Sequence, residues 1–407
     1  MRIIDLFSGV GGLTFGFYYR KYKDHFVWNR KNQFVFANEY NPLAAKAYSE
    51  NYPDIPMKNC DIKSLKESDI KEWIGSEPVD LIIGGPPCQS FSTVGQRNYD
   101  EKAQLYTEYL RVLKIARPKM FLFENVRGIL SMREIFYKRD AAGNILYELK
   151  DVEGRESLTP RKKPVIDHYG KSVMEILNDQ FSNLGNGLGY NIWTERLNAM
   201  DYGVPENRER VFIVGIRNDL NLKWNCPPKE KSAHLTIKDA ISDLPEVLEG
   251  QSISSYQQLP QNKYQELMRH GSNELTQHFC GCYSEKIRAV IQHVKQGEGK
   301  NEFNALVDSG KIDKSYRLTS GYANTYGRLI ADQPSPTITN NLTTVSSLRC
   351  IHSQNRALTP REGARIQSFP DWYKFEGFKS DVCTQIGNAV PPLLALRLAS
   401  QFEKTLK

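Results

Sequence analysis

Val79-Asp80-Leu81-Ile82-Ile83-Gly84-Gly85-Pro86-Pro87-Cys88-Gln89-Ser90-Phe91-Ser92 is a short aliphatic run followed by two glycines, two prolines and a cysteine. The run is rich in β-branched and aliphatic residues and predicts a strand buried on both faces. The glycines free the backbone and the prolines stiffen it. The thiol of Cys88 is thereby held at the strand's carboxyl end, where open α/β sheets place their ligands. Taken alone, Cys88 reads equally well as an inert buried thiol, because free cysteine is among the most buried residue types. Its neighbours along the chain bear on the choice.

Upstream, Arg2 to Phe7 predict a first strand, followed by Ser8-Gly9-Val10-Gly11-Gly12 and an apolar helix through Leu13, Phe15 and Phe17. A strand, a glycine turn and a helix form a corner where a ligand can lie against backbone N–H groups. A plain tight turn or a dinucleotide site has the same outline, although the glycine spacing is not that of the dinucleotide fingerprint. A second strand, Phe34-Val35-Phe36-Ala37, ends in Asn38-Glu39. Glu39 suits ribose hydroxyls or the start of the next helix. The intervening Tyr19 to Gln33 is basic and aromatic and reads as a surface excursion. Cys60-Asp61-Ile62 closes a third strand, with Asp61 equally suited to capping a turn.

Downstream, Met120-Phe121-Leu122-Phe123 predicts a strand that delivers Glu124-Asn125-Val126 to the same sheet edge as Cys88. A glutamate after four apolar residues is costly to bury alone, so it must be partnered, protonated or set in a cleft. Pro205-Glu206-Asn207-Arg208-Glu209-Arg210 precedes the strand Val211 to Gly215. On an extended backbone Arg208 and Arg210 project to the same side and can face one site, or else pair with the neighbouring glutamates.

These strings, in this order, resemble the cytosine-C5 DNA methyltransferases, and the resemblance covers nearly the whole chain. Asp5-Leu6-Phe7-Ser8-Gly9-x-Gly11-Gly12 matches that family's cofactor loop, Pro87-Cys88-Gln89 its nucleophile segment and Glu124-Asn125-Val126 its glutamate signature. Arg208-x-Arg210 keeps both arginines of a Gln-x-Arg-x-Arg pattern, with Glu206 in place of the glutamine. Gln385-Ile386-Gly387-Asn388-Ala389-Val390-Pro391-Pro392 matches the segment that folds back to complete the cofactor pocket. Where the family has Gly-Asp-Ile, this chain has Cys60-Asp61-Ile62.

The resemblance implies an α/β fold. Its core is a doubly wound, mostly parallel sheet of the S-adenosylmethionine-dependent methyltransferase type, accompanied by a smaller target-recognition domain. The catalytic and cofactor-binding domain is expected over 1–216, the recognition domain over 217–345, and a return to the catalytic domain over 346–407. Catalytic roles fall on Cys88, Glu124, Arg208 and Arg210. S-adenosylmethionine, leaving as S-adenosylhomocysteine, is expected against Phe7, Ser8, Gly9, Gly11, Gly12, Glu39, Asp61, Ile62, Pro86, Asn388 and Val390. In the implied reaction Cys88 adds to C6 of cytosine and makes C5 nucleophilic, while Glu124 holds the N3 edge. The base is extruded from duplex DNA. Two other readings stay open: an RNA (tRNA) cytosine-C5 methyltransferase, and a catalytically silent DNA-binding protein of the same fold.

The remaining stretches constrain less. Met132 to His168 is rich in Lys, Arg, Asp and Gly and reads as an exposed hairpin or solvated loop without assigned chemistry. From Arg217 to about Tyr316 no period is visible. His278-x-Cys280-x-Cys282 lacks the spacing of a structural zinc site, and no metal is expected. Thr359-Pro360-Arg361-Glu362 is a strong helix start, and Leu394, Leu398 and Phe402 mark a last helix. With 407 residues, 40% hydrophobic and 25% charged, the chain suits a soluble globular protein of one large and one smaller domain. The net charge of +7 suits a polyanion without demanding one. Seven cysteines, an odd number, favour free thiols. No secretory signal or membrane span is read, so a cytoplasmic prokaryotic enzyme is expected. It would act as a monomer on double-stranded DNA, beside a cognate restriction endonuclease of the same site.

Overall fold

Alternation along the strands builds the molecule. Ile3, Leu81, Ile83, Met120 and Leu122 turn to one face of a sheet, and Ile4, Ile82, Phe121 and Phe123 to the other, all fully buried. A sheet apolar on both faces must be covered on both. In the computed structural model, which describes residues 1–86, 105–150, 161–319, 325–345 and 352–407, helices do so.

The seven strands of that sheet are β1 (Arg2–Leu6), β2 (Gln33–Glu39), β3 (Met57–Asn59), β4 (Leu81–Gly84), β5 (Met120–Val126), β6 (Tyr190–Asn198) and β7 (Glu209–Arg217). Their order is β6-β7-β5-β4-β1-β2-β3. β1 pairs in parallel with β2 and β4, β2 with β3, and β4 with β5; β7 alone runs against its neighbours β5 and β6. The chain winds outward from β1 to β3, then crosses to β4 and winds the other way. The carboxyl ends of β1 and β4 therefore flank the topological switch point, where such sheets form their ligand crevice. Leu6 lies in register with both Asn38 and Gly84, and Gly84 with Phe123, so the loops that follow all open at one edge.

The helices arise largely where expected. Gly12–Tyr18 follows the glycine turn; Pro360–Ile366 starts with Thr359 and Glu362 in a reciprocal capping box, with proline in the first turn; Pro392–Thr405 closes the chain. Several elements go beyond the sequence reading, among them an antiparallel hairpin of Tyr19–Tyr22 with His25–Trp28, and the helix Lys379–Asn388, which ends in Gly387 and Asn388.

Two apolar layers sandwich the sheet, and a third core stands apart. Trp224, Ile237, Ile241, Leu244, Tyr264, Leu267 and Leu275 belong to the same layer as β1, so the chain just beyond 217 opens no new core. The separate core gathers Val290, Ile291, Val294, Phe303, Val307, Leu318, Tyr326, Val345 and Ala357. The stretch from 217 to 316, in which no period is visible, does carry helices, Ile237–Ile241, Lys263–Arg269, Glu285–His293 and Lys300–Asp308; each is short and set between irregular segments, which is why their docking was hidden in the sequence. Buried charge fastens that docking. Arg365 bonds Asp371 through Nε at 2.6 Å and Asp243 through Nη1 at 2.9 Å, tying the 237–243 stretch to the helix at 360–366.

Candidate active site

The loop after β1 is held by hydrogen bonds from three sides. Phe7 adopts φ 55°, an unusual left-handed turn for a bulky residue, which swings the chain out of the strand. Ser8 then donates its N–H to Asn38 O at 3.0 Å, and Gly9 donates to Glu39 Oε2 at 2.8 Å. Gly11 takes φ 92° at the helix N-cap. Beneath it, the Tyr52 hydroxyl donates to Gly11 O at 2.7 Å, and the Tyr373 hydroxyl contacts Val10 O and lies 3.0 Å from the Tyr52 hydroxyl. A tyrosine pair from distant parts of the chain thus braces the glycine turn.

Gly12 meets the other end of the molecule. A Cβ there would overlap the Val390 carbonyl and touch the Ala389 Cβ at 3.0 Å. Val390 is buried and Asn388, two residues earlier, is exposed. The C-terminal segment therefore does fold back on the N-terminal loop, as expected.

Glu39 receives the Gly9 N–H and, through Oε1, the Asn41 N–H at 2.8 Å; burial raises its pKa although both bonds oppose the shift. Asp5, under the loop, is fully buried with its carboxylate on the hydroxyls of Thr14 and Tyr48. Burial pushes its pKa up to about 7; the Thr14 bond opposes the shift and the charge of Glu39 adds to it. Asp61 caps the short helix Ile62–Ser64, accepting the Lys63 N–H at 2.9 Å, so the capping alternative is realised in this structure. Ile62 is buried, and its carbonyl accepts from Arg111 Nη2 at 2.8 Å. Tyr40, which sequence reasoning passed over, is 74% exposed directly after Glu39. An aromatic left bare beside a loop carboxylate at the sheet edge was the signal available for it.

Across the crevice, β4 leads through Gly85 to the buried Pro86, whose carbonyl accepts from Asn125 Nδ2 at 3.4 Å. Cys88, together with Pro87 and Gln89 to Ser92, lies outside the described residues. Gly85 stands against Glu124: a Cβ there would be 2.6 Å from Glu124 Oε2. Glu124 sits on β5 opposite Phe212 of β7, and its Oε1 is 3.1 Å from Arg210 Nε. Both side chains are nearly buried. Burial raises the pKa of Glu124 against the pull of Arg210 and Arg208. Burial, helped by repulsion from Arg208, brings Arg210 down to about 10. The pair is desolvated, opposite in charge and placed against Gly85 at the carboxyl end of β4.

Arg208 departs from the expectation that both arginines face one site. Its fully buried guanidinium donates through Nη1 to Ile338 O at 2.8 Å, and through Nη2 to Gly387 O at 2.7 Å and Ala389 O at 3.0 Å. Those carbonyls occupy both Nη groups while Nε stays buried without a partner, so Arg208 acts as a strut between the 206–210 segment and the turn that covers Gly12. The strict alternation that would align it with Arg210 is absent, because Glu206–Asn207 pairs with Ser335–Pro336 while β7 starts only at Glu209. Glu206, also fully buried, accepts the Ile338 N–H at 2.6 Å and lies 3.5 Å from Arg208, and burial raises its pKa. Arg208→Met would strand this carboxyl and three carbonyls, and should cost about 3–5 kcal/mol, read as a lower urea midpoint. Adding Glu206→Gln, which removes the stranded charge, should restore part of that loss.

His278 is buried, with Nδ1 3.0 Å from Thr359 Oγ1 and Nε2 2.9 Å from Pro245 O. Both ring nitrogens are thereby engaged in packing. Among the described residues, no cluster of three His, Cys, Asp or Glu side chains is placed to hold a metal ion, and no helix is long and apolar enough to cross a membrane.

Comparison with known proteins agrees with this geometry. The family model for C-5 cytosine-specific DNA methylase matches residues 1–152 and 163–404. The chain is 34% identical over 419 residues to the Type II methyltransferase M.DdeI of Desulfomicrobium norvegicum, covering 99% of this chain and 88% of that one. It is 31% identical over 476 residues to the Type II methyltransferase M.AgeI of Thalassovita gelatinovora, covering 99% of each. A crystal structure of a prophage-encoded DNA modification methyltransferase from E. coli superposes with a TM-score of 0.68 at 24% identity, over 100% of this chain and 99% of that one. That likeness bears on the fold.

Proposed function

Since the chain belongs to the C-5 cytosine-specific DNA methylases and is a DNA cytosine-C5 methyltransferase, we propose that it methylates one cytosine in a short specific sequence of duplex DNA through a covalent Cys88 adduct. The observation that carries the proposal is the desolvated Glu124–Arg210 pair, packed against Gly85 three residues before Cys88.

The residues around the glycine loop suit S-adenosylmethionine. Gly9 has open space on the side where a Cβ would stand, the Glu39 carboxylate stands ready for ribose hydroxyls, and the exposed Tyr40 ring offers a face for adenine. Phe7, Ser8, Gly9, Asp61, Ile62, Pro86, Asn388 and Val390 complete the lining in this reading. Bound there, S-adenosylmethionine supplies an electrophilic methyl group. Gly12→Ala should push the Ala389-Val390 turn off the loop and raise the Kd for S-adenosylmethionine about tenfold, or about 1.4 kcal/mol, by calorimetry.

The protein's own part is activation of the base. Cytosine C5 is too poor a nucleophile on its own; addition of the Cys88 thiolate at C6 moves electron density to C5. Glu124, whose pKa burial raises, gives a proton to N3 as the ring accepts the thiolate, and Arg210 fixes the carboxyl and reaches the O2 edge. After methyl transfer a base takes the C5 proton, the C6–S bond breaks to return Cys88 as thiolate, and N3 gives its proton back to Glu124. Because a base in a duplex cannot reach this crevice, the target is flipped out at a cost of about a few kcal/mol. The recognition unit is best placed around the separate core near 285–357, facing the DNA from the other side, with a cognate endonuclease as the biological partner.

The test is expression in a host without cytosine methylation, followed by bisulfite sequencing of its DNA. Protected cytosines in one short context are the expected result. Unprotected DNA together with methylated tRNA would overturn the choice of substrate, and no transfer to either nucleic acid would leave a silent binder.

A further inference from the structure

A ribbon without a core of its own springs from the active-site strand. Two residues past Glu124, β5 ends at Val126. A short helix, Arg127–Ser131, then leads to Arg133–Tyr137, which pairs antiparallel with Ile166–Ser172. Beyond these strands, Tyr147–Lys150 pairs with Arg161–Pro164. Lys138 joins the two pairs, donating its N–H to Val165 O at 2.9 Å and accepting from Leu146 N at 2.8 Å. A two-stranded ribbon is marginal by itself in water. Among the described residues, none from 133 to 172 enters any of the three cores. The match to the family model breaks off at 152 and resumes at 163, within this ribbon.

Its surface is apolar and cationic at once. Six of the thirteen exposed large apolar side chains among the described residues are on it or at its root: Leu130, Phe136, Leu146, Tyr147, Ile166 and Tyr169. The rings of Phe136 and His168 stack at 4.5 Å and 11°. The acids nearby are engaged within the ribbon. Glu134 accepts the Lys171 N–H, Asp140 accepts the N–H groups of Ala142 and Asn144, and Asp167 contacts His168 Nδ1 at 2.9 Å. Lys138 is exposed and has no carboxylate partner among the described residues, and Arg139 donates only to the Gly143 carbonyl. Apolar edges beside the free cations of Lys138 and Arg139, rooted next to the residue that holds the target base in the reading above, fit a sugar-phosphate backbone.

We propose that this ribbon is an arm that grips duplex DNA flanking the methylated site, with Lys138 and Arg139 on phosphates and the faces of Phe136 and Tyr169 against the sugars. The proposal rests on the duplex-DNA reading above. Lys138→Gln/Arg139→Gln and, separately, Tyr169→Ser change exposed positions and should leave the thermal melt unchanged. Affinity is measured by fluorescence anisotropy on a 12-bp and a 40-bp duplex, lengths of about one and about four helical turns, each centred on the sequence found by bisulfite mapping. The double variant should lose about tenfold affinity for the longer duplex and less than about twofold for the shorter. Its salt slope on the longer duplex should become shallower by about 1.8, or about 0.9 per phosphate released. Methyl transfer at saturating short duplex should stay as in the wild type. Unchanged affinity and slope would overturn the arm and leave its apolar face to a protein partner. A wild-type enzyme that methylates both duplexes without favouring the longer would likewise overturn it, whereas one that methylates neither would overturn the substrate reading itself.

Discussion

Cys88→Ala is expected to lower methyl transfer by at least about four orders of magnitude while duplex binding stays within a few-fold of wild type. The size of the effect follows from the reaction. Without a C6 adduct, cytosine C5 carries too little electron density to displace a methyl group from a sulfonium centre. Binding survives because phosphate and base-edge contacts are made by other residues. A duplex carrying 5-fluorocytosine at the target supplies the complementary measurement. Fluorine cannot leave as a proton does, so the wild type should be caught in a complex that survives denaturing gel electrophoresis, and Cys88→Ala should not. Residual turnover above about one-hundredth of wild type in the variant would remove the covalent mechanism.

The sheet was legible in the sequence because its signal is local. Runs such as Leu81-Ile82-Ile83 and Met120 to Phe123 are buried on both faces, and their glycine and glutamate endings mark where the chain turns toward a ligand. The site was legible where a residue's place depends on its own strand: Glu124 ends β5 and Arg210 opens β7, and the two meet because those strands are neighbours. It was not legible where the role depends on contacts far along the chain. Arg208 has the spacing of a partner to Arg210, yet the carbonyls of Ile338, Gly387 and Ala389, about 130 to 180 residues away, take its donors. The tyrosine brace under Gly11 joins Tyr52 to Tyr373 across 321 residues, which no local period can announce. The stretch after 217 shows the same limit. Its aromatic and aliphatic residues fall in short helices between irregular segments, and their place in the main core, fastened by the buried ion pairs of Arg365, is a docking that no local rhythm announces.

Glu124→Gln tests the second half of the mechanism, with an expected fall in kcat of about 10²–10⁴-fold at unchanged KM for S-adenosylmethionine. The amide keeps the shape and can still donate a hydrogen bond toward N3, but it cannot give up a proton as the thiolate adds. The sign of the pH dependence follows from burial. Burial raises the Glu124 pKa although Arg210 and Arg208 pull it down, so the carboxyl holds its proton at a higher pH than an exposed glutamate would. Activity that needs this proton is present below the raised pKa and falls as pH rises through it, and the variant should lose that limb of the profile. Arg210 remains charged throughout, since its own pKa is lowered only to about 10. The substitution also leaves Arg210 without its countercharge in a nearly buried position, at a cost of up to about 3–5 kcal/mol in stability. A urea titration must therefore accompany the kinetics. A folded variant with kcat within about tenfold of wild type and an unaltered pH profile would exclude Glu124 as the proton donor and leave it only an orienting role toward Arg210.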